Sequence, residues 1–295
     1  MNVQNNPEQK KPSLGNKILG SAAGWMGGNA TVIAANTCVS LPVMKNINKI
    51  NEQIMQDAFE SEAINLKQVL INTGLSEKGV EIIRATSKNE STINELIKND
   101  FNKGIGKLLP KRYKDIKIKS MSNEVKNGIN AFFSITNNKI IIPEKGMEFS
   151  AFHEIGHALN ANKGKLSKIL QNCRPLALLS IPIMLIAVLK TKKTEDEKPK
   201  NKIDKATTFI KENAGILSFS AFIPTLLEEG LATIKGNKLA KEFLDSGSAK
   251  KIAKANGLAY LTYFGTAVGY GIGATLATKI KDAITKNKTN KTQEK

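Results

Sequence analysis

The residues that could do chemistry sit in one short stretch, "SAFHEIGHALN", Ser150 to Asn160. It holds the only two histidines of the chain, His153 and His157, with Glu154 directly after the first. Four residues is just over one helical turn, so at about 100° per residue the two imidazoles lie about 40° apart on one side of a helix. From there both can reach a single zinc ion at about 2.0–2.1 Å. Glu154 is one step further round, where it can hold a metal-bound water and take its proton. The same projection places Phe152, Ile155, Gly156 and Leu159 on a separate apolar face. The rival reading is two hydrogen-bonded histidines on a half-buried helix. The clean separation of apolar and polar faces favours metal ligands.

A catalytic zinc usually takes three protein ligands and leaves a fourth position open. With no third histidine, the remaining ligand must be a carboxylate or something weaker, and a distal-histidine metzincin is excluded. The candidate stretch is "LLEEGLAT", Leu226 to Thr233, and the residues alone leave Glu228 and Glu229 both open. A solvated acidic pair at a helix start, favoured by the helix dipole, is the alternative. The neighbouring apolar segments and the histidine motif tip the balance to a ligand.

The elements that must position these groups come from hydropathy. Four uncharged runs mark the chain. Ile18 to Met44 is about 27 residues and Gly257 to Thr278 about 22, each long enough to cross about 30 Å of hydrocarbon. A cleaved signal peptide, cut near Ala34-Ala35, is the rival for the first; its length favours an uncleaved segment. Gly20, Gly24 and Gly28 in the first run, and Gly265, Gly269 and Gly273 in the last, recur at four-residue spacing. That spacing lets helix backbones approach closely and predicts that the two helices pack against each other or a common partner. Two shorter runs, 175–189 and 213–227, read as an apolar helical hairpin around a charged linker, 190–206, with kinks expected at Pro182 and Pro224. An out-and-back hairpin returns the glutamates to the side of the zinc helix.

Residues 45–129 read as a mostly helical region, with N-caps at Ser76 and Ser91. "DIKIKSM" alternates apolar and polar residues, and "INAFFSI-TNN-KIIIP" reads as two strands around a turn at Thr136 to Asn138. The second strand, Ile140, Ile141 and Ile142, is expected to offer an exposed edge to an extended peptide. The fold class is thus mostly α with a small antiparallel β hairpin or sheet, an α+β zincin-like core in a multi-pass helical membrane protein. The domain order is a basic tail (1–17), a glycine-rich membrane segment (18–44), the helical region (45–129), a catalytic region (130–256), a glycine-zipper span (257–278) and a second basic tail (279–295).

Over roughly Asn130 to Ala240 the chain resembles the membrane-associated gluzincin metallopeptidases, the group of the CAAX prenyl endopeptidase, the heat-shock membrane protease and the neutral zinc metallopeptidases. "NAFF" at Asn130 to Phe133, "IIIP", "AFHEIGHALN" and Glu229-Gly230-Leu231-Ala232 match that layout. The resemblance implies Zn²⁺ held by His153, His157 and Glu229, Glu154 as general base, and a polypeptide substrate. Many relatives carry Asp four residues after the ligand glutamate to orient an imidazole; this chain has Thr233. Relatives stabilise the oxyanion with His or Tyr; Tyr113, Tyr260, Tyr263, Tyr270 and Arg174 are the residues available here.

Composition bounds the rest. The net charge of +18 comes from 44 Lys and Arg against 26 Asp and Glu. Lysine and asparagine are abundant throughout, and no RNP-type or C2H2 pattern appears, so no nucleic acid is expected. Two cysteines, Cys38 and Cys173, make no disulfide framework. The tails and linker hold 16 lysines, which the positive-inside rule places in the cytoplasm; family resemblance often suggests the opposite, and the active-site side stays open. The expectation is a zinc endopeptidase of a bacterial plasma membrane, with the lipid bilayer and a helix-mediated oligomer as further partners. The alternatives are a structural protein assembled through its glycine helices around a vestigial metal site, and a basic protein bound to anionic lipid.

Overall fold

The computed structural model describes all residues except 1–12, 61–64, 104–106, 108–109, 129, 145–149, 192–198 and 292–295. Helices dominate: α1 (Leu14–Glu60), α2 (Leu66–Asn72), α3 (Glu90–Phe101), α4 (Lys111–Lys126), α5 (Ser150–Lys163), α6 (Lys165–Cys173), α7 (Ser180–Leu189), α8 (Lys202–Glu212), α9 (Ala214–Ser220), α10 (Ile223–Phe243) and α11 (Ser246–Lys291). Three short strands, β1 (Glu81–Ala85), β2 (Phe132–Ser134) and β3 (Lys139–Pro143), form one sheet. Contacts divide the chain into two compact units, neither of them continuous. One gathers Met1–Thr37, Leu178–Ala221 and Thr266–Lys295; the other gathers Cys38–Ala177 and Phe222–Gly265.

The second unit contains the sheet. β2 and β3 form the expected hairpin, and Asn138 at its turn adopts φ 53°, a left-handed conformation that asparagine tolerates better than most residues. β1 was not expected: it pairs in parallel with the far side of β3, making the sheet mixed, in the order β1-β3-β2. This corrects two readings. Residues 45–129 are not helical throughout, since "EIIRA" is strand and "DIKIKSM" lies inside α4. More importantly, β3 is the central strand. Ile140, Ile141 and Ile142 are paired on both sides and 0% exposed, so they offer no edge to a substrate. Ile140 and Ile142 pack with Phe152 and Ile155 of α5, and Ile141 packs on the opposite face with Ile93, Ile97 and Val125 of α3 and α4. The sheet is thus the floor on which the histidine helix rests.

The first unit consists of the start of α1, α7, α8, α9 and the second half of α11. Its interior is made of small residues, with Ala187, Ala214, Ala274 and Ala277 around Met184 and Val188. The glycine faces of α1 and α11 meet as the spacing predicts. A Cβ at Gly28 would lie 2.8 Å from Ala277 Cβ and 2.9 Å from the Gly273 carbonyl oxygen. Gly28→Leu is therefore expected to destabilise the protein by about 1–3 kcal/mol, read as thermal unfolding in detergent micelles. Gly15→Leu is the neutral control, because nothing lies within 4 Å of that position.

Two stretches among the described residues are long and apolar enough to cross a membrane, Lys165–Leu189 and Ala214–Phe243; the outer runs Ile18–Met44 and Gly257–Thr278 are not among them. Only 22% and 33% of an 18-residue apolar window in each is buried, whereas the core helix of a soluble protein is mostly buried. Leu166, Ile169, Leu189, Ile216 and Ile234 all face outward. The two prolines do not kink helices. Pro182 sits in the first turn of α7 and Pro224 in the first turn of α10, where a missing N–H costs nothing. Part of the 190–206 linker, residues 192–198, lies outside the described residues; its end already belongs to α8.

Candidate metal centre

The site lies wholly within the second unit and is built by α5 and α10. These helices touch almost backbone to backbone. A Cβ on Gly156 would overlap the Ala232 main chain, and one on Gly236 would sit 2.5 Å from the Phe152 carbonyl oxygen. His153, Gly156 and Asn160 form one face of α5, at positions i, i+3 and i+7. Glu229, Ala232 and Gly236 repeat that spacing on α10. The glycines and the alanine thereby set a helix separation at which short side chains can meet.

Three donor atoms converge. His153 Nε2 is 3.0 Å from His157 Nε2 and 3.2 Å from Glu229 Oε2, and His157 Nε2 is 3.4 Å from the same carboxylate oxygen. Tetrahedral zinc with ligands at 2.0–2.1 Å requires donor–donor separations of about 3.3 Å. The triangle is thus of the right size for one such ion, and these residues could hold it. Glu154 completes a cluster with the two histidines in which ligand atoms lie within 4.8 Å of one another.

Supporting groups surround each candidate ligand. Glu228, which the sequence left as an alternative ligand, instead faces His157 Nδ1 at 2.8 Å. Its carboxylate keeps the Nδ1 proton in place and leaves Nε2 to face the centre. Asn160 Nδ2 donates to Glu228 Oε1 at 3.0 Å and to its carbonyl at 3.2 Å; Lys235 Nζ donates to Asn160 Oδ1 at 2.6 Å. Arg174 bridges the two glutamates, with Nη1 3.1 Å from Glu228 Oε2 and Nη2 on Glu229 Oε1. Thr233 reaches His153 Nδ1 only at 3.4 Å. The carboxylate absent at position 233 is therefore supplied to the other histidine by Glu228. Replacing it, Glu228→Gln, is expected to weaken metal binding about 10–100-fold in a competition titration with a chromogenic chelator.

Comparison with protein-family models, curated proteins and solved structures gave no match. The site's character therefore rests on its own chemistry. Glu228 and Glu229 are both 0% exposed and share one guanidinium, that of Arg174. A divalent cation would offset that surplus of buried negative charge.

Without a cation, the proton on His157 does so. Burial alone would lower its pKa, but Glu229 and Glu228 outweigh burial and raise it from 6.5 to about 10. Burial raises the Glu154 pKa above the ordinary carboxylate value, against the opposing pull of the two histidines. Metal binding needs neutral His157, so affinity should rise about tenfold per pH unit between neutrality and about pH 10, with one proton released by this residue. The metal-free fold runs the other way. The stability that charged His157 contributes is complete below about pH 6.5 and lost as pH rises through about 10. Calorimetric titration in two buffers of different ionisation enthalpy counts the released proton.

Of the oxyanion candidates, Arg174 and Tyr263 are at the site: Arg174 bonds Glu229, and the Tyr263 hydroxyl lies within the electrostatic influence of that carboxylate. Tyr260 packs near Gly230. Tyr113 lies on α4, and Tyr270 belongs to the other unit. Cys38 and Cys173 are free thiols. Sequence reasoning missed the bridging role of Arg174, the orienting role of Glu228, and Asn160. One signal was available. Arg174 is the only charge between Lys168 and Lys190, and Glu228 and Glu229 are the only charges between Asn213 and Thr233. Ionisable groups isolated in apolar runs need partners, and here they are each other's.

Proposed function

We propose that the chain is a membrane-associated zinc endopeptidase of gluzincin type. The observation that carries this reading is the triangle of His153 Nε2, His157 Nε2 and Glu229 Oε2, with sides of 3.0–3.4 Å, beside the Glu154 carboxylate. Zinc bound there would polarise the scissile carbonyl and lower the pKa of water to about 7. Glu154 accepts the proton of the attacking water and passes it to the leaving amine. Its raised pKa makes it a stronger proton acceptor than an ordinary carboxylate. Glu228 and Arg174 would hold the ligands in register, and Tyr263, coupled to Glu229, would supply a donor to a developing oxyanion.

The substrate is a polypeptide. With β3 enclosed, an extended peptide can pair only with the outer edge of β1 or β2, and β2 packs on α5. Sparse burial of Lys165–Leu189 and Ala214–Phe243 supports a lipid setting, with the outer glycine-rich runs as accompanying segments of a multi-pass chain. The reading as a glycine-assembled structural protein has less support, because Gly28 and Gly273 already pack inside the chain. The test is hydrolysis of unfolded polypeptides by the detergent-purified protein. Activity should vanish with a zinc chelator and return with added zinc. Chelator-insensitive cleavage, or none under any metal condition, contradicts the proposal.

A further inference from the structure

Within the second unit, α6 faces the wrong way for a helix in water. Leu166, Ile169, Leu170 and Cys173 occupy positions i, i+3, i+4 and i+7, so they form one stripe. On the surface of a soluble protein such a stripe turns inward and the polar residues face water. In α6 the one fully buried side chain is Gln171, while Leu166 is 69% and Ile169 57% exposed. The inner face has its own reason. The helix packs on α5 and α10, which carry the metal-site residues. Gln171 and Arg174 are three residues apart, and Arg174 bonds Glu228 and Glu229. A polar inner face thus suits the charged centre it covers. Water gives no such reason for the apolar outer face. Ile116 on α4 is a useful contrast. It is 61% exposed but stands alone among Lys114, Asp115 and Lys117, and single exposed residues of that kind are ordinary.

We propose that α6 lies at the surface of the lipid bilayer, with Leu166 and Ile169 among the acyl chains and the metal centre behind it. Two features favour lipid over a protein partner. First, α6 opens Lys165–Leu189, the more apolar of the two stretches long enough to cross a membrane. Second, Lys165, Lys168 and Asn172 are exposed alongside the stripe. A protein cover would strip water from them, whereas lysine stems can follow the acyl chains and keep their ammonium groups at the headgroups. Packed helix axes lie about 8–10 Å apart, so the metal centre would sit about one helix width from lipid and meet its polypeptide at the membrane surface. The inference rests on the membrane reading and not on the zinc chemistry.

The test uses the full chain reconstituted in phosphatidylcholine vesicles and reads tryptophan fluorescence. The chain has one tryptophan, Trp25, whose wild-type emission is subtracted. Emission added by Leu166→Trp should be lost to brominated phosphatidylcholine and spared by aqueous iodide. Ile116→Trp should show the reverse. Ile169→Trp gives a second reading on the same stripe should Leu166→Trp fold poorly. Quenching of both α6 variants by iodide, as for Ile116→Trp, overturns the proposal because the face is then in water. Quenching by neither agent also overturns it, because the face is then covered by protein, such as a second copy of the chain. Flotation of the wild type with vesicles after an alkaline wash keeps the two readings apart. A chain that washes off loses the membrane reading and this inference together; one that stays while its α6 variants are quenched by iodide loses this inference alone.

Discussion

Glu154→Gln should lower kcat/KM for peptide hydrolysis by about 10²–10⁴, the range lost when a positioned general base is removed. Zinc content should stay at the wild-type level. The distinction follows from the site's layout. The donor triangle is made by His153, His157 and Glu229, and Glu154 is not one of its corners. Glutamine keeps the size and polarity of the side chain but cannot accept the proton. A variant that loses zinc together with activity would make Glu154 a ligand. One that keeps full activity would remove it from the chemistry. Steady-state kinetics beside metal analysis of the same preparation separates these outcomes.

Arg174→Met should have the largest effect on stability. The guanidinium is the shared partner of Glu228 and Glu229, both fully buried. Methionine fills similar space but leaves two carboxylates facing each other beside His157. Removing one partner from a buried ionic network typically costs about 3–5 kcal/mol. The loss should be largest in the metal-free protein and smaller with zinc present, because the cation takes over part of the role of the arginine. Unfolding with and without saturating zinc measures both arms. Equal losses in the two states would mean that Arg174 acts by packing alone. Arg174→Lys should recover little, since a single ammonium cannot span both carboxylates.

How much of this was legible in the sequence differs from residue to residue. His153, Glu154 and His157 stand out because their spacing alone creates the site's chemistry on one helix. Glu229 was legible only as one of two glutamates until the resemblance singled it out. The contact that selects it depends on Gly156 and Gly236 bringing two helices together across more than 70 intervening residues, which no local pattern encodes. Glu228 looked like a spare ligand because composition cannot tell a carboxylate on Nε2 from one on Nδ1.

The sheet was half legible. The hairpin is local, with a turn at Thr136 to Asn138. β1 reaches β3 through a parallel pairing of distant segments, and five residues between helical turns carry little signal of that. The misplacement of Ile140, Ile141 and Ile142 at an edge was avoidable. An unbroken Ile-Ile-Ile run, rather than an alternating one, marks a strand covered on both faces. The outer runs fall short of the apolarity of the two inner stretches, because glycine and alanine make a run uncharged without making it strongly apolar. Those residues instead let α1 and α11 pack closely.

The central claim is that His153, His157 and Glu229 jointly hold one zinc ion. X-ray absorption at the zinc edge, with metal quantified on the same detergent-purified chain, tests it most directly. The prediction is roughly one zinc per chain with two imidazoles and oxygen donors at about 2.0–2.1 Å, and strongly reduced zinc in Glu229→Ala. A folded wild-type chain without zinc, or a Glu229→Ala variant that keeps the ion with an unchanged spectrum, would contradict the account.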